Sequence, residues 1–149
     1  MPAMSLLSLL LGPPKRPAPI DPFWRRNGSL KYPTLVSLAT RPQELRGYGG
    51  VFVVWHIGVQ GRWVYCGHSP ALDEAALALF EAPTIREWEQ RGALVFTWAP
   101  VREDRRDGVV AYLRDTLPFE IKNEGLDERL GMAAGRLATA QRVPVLPPG

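Results

Sequence analysis

Residues 49–68 read GGVFVVWHIGVQGRWVYCGH, and this stretch decides the fold. Two runs of strand formers, 51–57 and 63–67, flank a polar turn bounded by Gly58 and Gly61. Val, Phe, Trp and Tyr fit a pleated, half-buried surface, so the stretch predicts a β-hairpin. On its C-terminal side, Ser69-Pro70 offers a hydroxyl N-cap and a proline for a first helical turn. Asp73 and Glu74 suit the positive end of the helix dipole. Leu72, Ala75, Ala76, Leu79 and Phe80 recur at helical spacing, predicting a helix packed on the sheet and stopped by Pro83. Thr84 and Glu87 form a capping-box pattern for a second short helix, with Ile85 and Trp88 inward and Gly92 at its end. Residues 93–101, ALVFTWAPV, are apolar on both faces and predict a third, central strand. A helix over 106–117 follows, with Val109, Tyr112, Leu113 and Thr116 inward and Pro118 at its end. The spacing of Leu130, Ala133, Ala134 and Leu137 predicts a last helix over 127–141, followed by a loose tail, 145–149.

The fold class expected is α+β: a small three-stranded antiparallel sheet flanked by helices, with an extended N-terminal arm and a C-terminal helix. The divisions are 1–22, 23–47, 48–123 and 124–149. In the arm, 33–39 has the spacing of a short helix, and Phe23 and Trp24 are expected to pack on the domain. Five prolines within 13–22 make a semi-rigid spacer. Ahead of it lie Leu6, Leu7, Leu9, Leu10 and Leu11, too apolar to leave in water and too short to hold a helix alone. They predict a docking segment whose receptor is a protein partner, the domain itself or a membrane face, the last bound only weakly by one short helix.

Composition narrows the class. No apolar run approaches a membrane span, and 4–11 lacks the basic flank of a leader peptide. One cysteine excludes an intramolecular disulfide, and no Cys/His cluster has zinc spacing. The expectation is a cytoplasmic protein without metal or cofactor. The net charge of +3 is uneven: +5 over residues 1–47, −2 over 48–101 and balanced thereafter. Nucleic-acid binders neutralise phosphates with Lys and Arg, so such a partner points to the basic arm rather than the acidic core.

Gly50-Val51-Phe52 followed by Tyr65-Cys66-Gly67 resembles the paired motifs of the GIY-YIG nuclease domain. Leu113-Arg114, Pro118 and Asn123 resemble that family's later pattern, so the resemblance spans 49–123. It implies the same sheet and helix order. It also implies a site where a tyrosine of each motif, a helix arginine and a metal-holding glutamate cooperate in phosphodiester cleavage. There the metal polarises the phosphate, the arginine balances transition-state charge and a hydroxyl relays a proton. The matching positions here are Phe52, Tyr65, Ala75 (ten residues after Tyr65) and Val109 (nine before Pro118). Phe52 has no exchangeable proton, Ala75 no charge, and Val109 no carboxylate to anchor a cation. Set against the resemblance, the site is emptied and holds no catalytic residue. With an intact sheet pattern and two extensions suited to partners, this leads to the expectation of a structural or adaptor subunit of a larger assembly. A nucleic-acid-binding or nucleic-acid-processing protein working through the basic arm is the alternative.

Alternation puts His56 on the face of Phe52, in view of the remnant formed by Tyr65 and Gly67. Backbone hydrogen bonding at the strand end is the simpler reading of His56. Cys66 reads as a small buried hydrophobe and His68 as a capping or exposed residue. Glu87, Glu89, Asp104 and Asp107 read as solvated charges.

Overall fold

A computed structural model describes residues 17–58 and 61–149. The leucines of 4–11 and the start of the proline spacer lie outside the described residues. The element order is α1 (Leu35–Thr40), β1 (Gly50–His56), β2 (Trp63–Ser69), α2 (Leu72–Glu81), α3 (Pro83–Gln90), β3 (Leu94–Ala99), α4 (Arg106–Thr116), α5 (Glu124–Arg129) and α6 (Ala134–Thr139). The protein is α+β, with a three-stranded antiparallel sheet in the order β2-β1-β3.

The hairpin forms as its pattern predicts, and β1 is the central strand. Gly50 opens β1 because β3 runs so close that a Cβ there would collide with the Ala99 carbonyl. The register sets Phe52 opposite Gly67 and Trp98, and Val54 opposite Tyr65 and Phe96. Paired residues share a face, so Phe52 stacks on Phe96 at 5.5 Å and lies 6.0 Å from the Tyr65 ring. A shift between Val54 and Trp55 pairs Trp55 with Trp63 and leaves Val64 over, as a β-bulge does.

Two expectations about strands and spacer are corrected. The strand over 93–101 is an edge strand, β3, not the central one. Its free edge is covered by the arm. Arg25 N–H donates to the Trp98 carbonyl at 2.8 Å, Phe96 N–H to the Pro33 carbonyl at 2.9 Å, and Thr97 Oγ1 to the Arg25 carbonyl at 2.6 Å. The opposite edge is covered too, since Glu120 and Ile121 N–H donate to the carbonyls of Trp63 and Val64 at 3.1 and 3.0 Å. Neither outer strand therefore presents a bare ladder along these stretches. The proline spacer is not free to its end: Ile20 bridges Val145 in parallel.

Helix ends also differ. Ser69 is the last residue of β2, its hydroxyl bonded to Ala71 N–H at 3.0 Å, and α2 starts at Leu72 without a side-chain cap. Pro83 opens α3 directly, which puts Thr84 inside the first turn, so no capping box forms. The helix expected over 127–141 is two. Asn123 caps α5 by accepting Leu126 N–H at 3.1 Å, and Gly131 at φ +85° turns the chain just past its end. The tail is packed rather than loose: Val145 is buried and Leu146 N–H donates to the Ile20 carbonyl at 2.8 Å.

Candidate functional site

Tyr65, on the face of β2 shared with Phe52, is buried. Its hydroxyl donates to Asp127 Oδ1 at 2.5 Å. Asp127 sits in α5, whose start is fixed by the Asn123 cap. Arg114, in the last turn of α4, donates from Nη1 to Asp127 Oδ2 and from Nη2 to Oδ1, both at 2.9 Å. The same Nη2 donates to the Cys66 carbonyl at 2.7 Å, and the guanidinium lies 5.4 Å from the Tyr65 ring centre. One carboxylate thus accepts from a phenol and from both ends of an arginine fork, a charge-assisted set.

Burial, followed by the hydrogen bond to Asp127, raises the Tyr65 hydroxyl far above its ordinary range and keeps it protonated. Burial pushes the Cys66 thiol up to about 12, with Arg114 pulling the other way. Burial works against the Arg114 charge, but its bond to Asp127 and the neighbouring groups outweigh it and strengthen its hold on the proton. The cluster borders a cleft of about 310 Å³ lined also by Lys122, Asn123, Ala134 and Leu137. Chemically it is a lock, since the phenol proton and both arms of the fork are already committed.

The expected site residues fall around this lock. Phe52 is wholly buried. Ala75 and Val109 are 2% and 1% exposed, packed as core side chains in α2 and α4. Met132, in the α5–α6 connection, lies over Gly67, where a Cβ would meet its Cε and the Phe52 ring. Met132 Sδ also accepts His68 N–H at 3.3 Å. His56 does not join Tyr65. Its Nε2 lies 2.9 Å from the Gly92 carbonyl and 3.0 Å from that of Trp88, so the backbone-bonded reading holds. His68 is neither a cap nor free: its Nε2 meets Asp107 Oδ1 at 2.7 Å in a partly buried pair. Asp107 is therefore not a solvated charge, and Glu89 is not either, since it accepts Leu94 N–H at 3.0 Å.

Asp127, the hub of this cluster, is what sequence reasoning missed, and with it the placement of Arg114. The one available signal was Asn123, a capping residue just ahead of an acidic turn. Among the described residues, no three His, Cys, Asp or Glu side chains gather as a metal site. No described helix is long and apolar enough to cross a membrane. Compared with known protein families, curated proteins and solved structures, the chain finds no match.

Proposed function

We propose that the chain is a catalytically silent GIY-YIG-like domain serving as a structural or adaptor subunit of a larger protein assembly. One observation carries this reading. The sheet face that would receive a scissile phosphate is taken up by the chain's own 123–132 segment, with Asp127 on Tyr65 and Met132 over Gly67. Phosphodiester cleavage needs a hydroxyl free to move a proton, a cation free to balance charge and a carboxylate to hold a metal. Here the hydroxyl is tied to Asp127, the nearby Arg114 is neutralised by the same carboxylate, and Ala75 and Val109 are apolar core.

The leucines at 6, 7, 9, 10 and 11 are the segment that docks the domain to its partner in this reading. Arg25 and Arg26, the first arginines of the described arm, are engaged within the chain, which favours a protein partner over a nucleic acid at that point. Arg26 already donates to Tyr32 Oη and the Gly149 carbonyl, and Arg25 lies over the Trp98 ring. The test is incubation of the purified protein with plasmid and single-stranded DNA in magnesium or manganese. No cleavage is expected. Cleavage that co-purifies with the chain and disappears in Tyr65→Phe overturns the reading.

A further inference from the structure

Residues 144–149, PVLPPG, lie along a row of aromatic side chains. Trp24 Nε1 donates to the Leu146 carbonyl at 2.7 Å. Arg26 Nη2 donates to the Gly149 carbonyl at 3.0 Å, and its guanidinium sits 4.5 Å above the Tyr32 ring. Tyr32 Oη accepts Gly149 N–H at 3.1 Å. Tyr32 meets Trp55 edge-on at 4.9 Å, and Trp55 lies 5.8 Å from Trp63. Pro148 is buried against this row.

This is the chemistry by which extended proline-rich segments are read. Proline offers no N–H, so its neighbours are recognised through carbonyls and through flat aromatic surfaces that fit the ring. An indole N–H and a guanidinium supply the donors here, and Tyr32, Trp55 and Trp63 supply the surface.

The tail fills the groove only in part. A cavity of about 570 Å³ opens on one side, lined by Phe23, Trp24, Leu30 and Pro147. Another of about 350 Å³ opens on the other, lined by Trp55, Ile57, Trp63 and Pro148. Phe23, expected to pack on the domain, is instead 70% exposed, and Leu30 76%; each is held at a positive φ, 64° and 58°. Apolar side chains fixed in a strained backbone on the rim of a cavity mark a surface shaped for more than solvent.

We propose that the groove of Trp24, Tyr32, Trp55 and Trp63 is a recognition site for an extended proline-rich segment of a protein partner, occupied in cis by Leu146-Pro147-Pro148. The partner segment displaces the tail by making the same carbonyl and ring contacts and by covering Phe23 and Leu30, which the tail leaves bare. The inference rests on the adaptor reading and names the chemistry of what is adapted.

The probe is the synthetic peptide VPVLPPG, titrated against tryptophan fluorescence of the full chain. In a Leu146→Ser, Pro148→Ser variant, which weakens the cis ligand, saturable binding at least ten-fold tighter than to the unmodified chain is expected. Adding Trp24→Phe, which deletes the indole donor, should weaken that binding at least five-fold. A VAVLAAG peptide should not bind. Absence of saturable binding to the folded variant, indifference to Trp24→Phe, or equal binding of the proline-free peptide each overturn the proposal. If the tail variant unfolds, hydrogen exchange on the unmodified chain decides. Millimolar VPVLPPG should speed exchange of the Leu146 amide, and an unchanged rate overturns the idea. DNA cleavage would sink the adaptor reading and leave peptide binding intact, so the two failures are distinguishable.

Discussion

Removing the Asp127 carboxylate leaves the partly buried Arg114 guanidinium without an anion and the Tyr65 hydroxyl without an acceptor. Asp127→Ala should therefore cost about 3 kcal/mol, the order expected when a buried pair loses one member. Tyr65→Phe removes a single bond and leaves the carboxylate on its arginine, so about 1–2 kcal/mol is expected. Urea midpoints of the two variants check that order, and the reverse order would mean the arginine is solvated after all. The same pocket fixes an alkaline limit. A thiol raised by burial to about 12, from an ordinary value near 9, contributes stability in full below pH 9 and loses it as pH climbs toward 12. Tyr65 is shifted in the same direction, so its contribution is likewise lost at alkaline pH. Melting temperature should fall steeply over this window, and Cys66→Val should flatten its lower part. Tyr65 was legible in the sequence as a strand residue. Its partners were not, because no local period joins residues 65, 114 and 127.

Two runs of β-branched and aromatic residues around a Gly-bounded turn made the hairpin readable, and helical spacing did the same for α2 and α4. The order of strands was not readable, since the arm that covers the free edge of β3 lies some seventy residues upstream. The C-terminal helix was misjudged because spacing alone carried the pattern across Gly131, where the chain turns left-handed. Ala75 and Val109 were placed in the core by spacing, and both are there. Val109→Glu thrusts a carboxylate among α4's inward side chains and should destabilise by about 2–4 kcal/mol. An unchanged thermal melt would show that position 109 reaches water.

At the scale of the molecule, the arm and the segment after α4 each sheathe one margin of the sheet. Neither margin's covered stretch is open to a further strand, so in the proposed adaptor reading assembly falls to side-chain surfaces. The leucines of residues 6–11 are the expected anchor. Burying four of them would contribute about 6 kcal/mol, while ordering some eight residues costs about as much or more. Such a segment becomes ordered only in a groove already built. Deleting residues 1–12 should leave the melting temperature nearly unchanged and abolish co-purification with the partner from the native host. Unfolding of the truncated protein would instead assign those leucines to its own core. The sheath on β2 has a consequence for biosynthesis. Trp63 and Val64 leave the ribosome well before Glu120 and Ile121, and Tyr65 long before Asp127. Through that interval the nascent hairpin carries an uncovered margin and exposes the Tyr65 face that the 123–132 segment later buries. The growing polypeptide should therefore be prone to stick to its neighbours until residues 120–127 emerge to cover that margin and face.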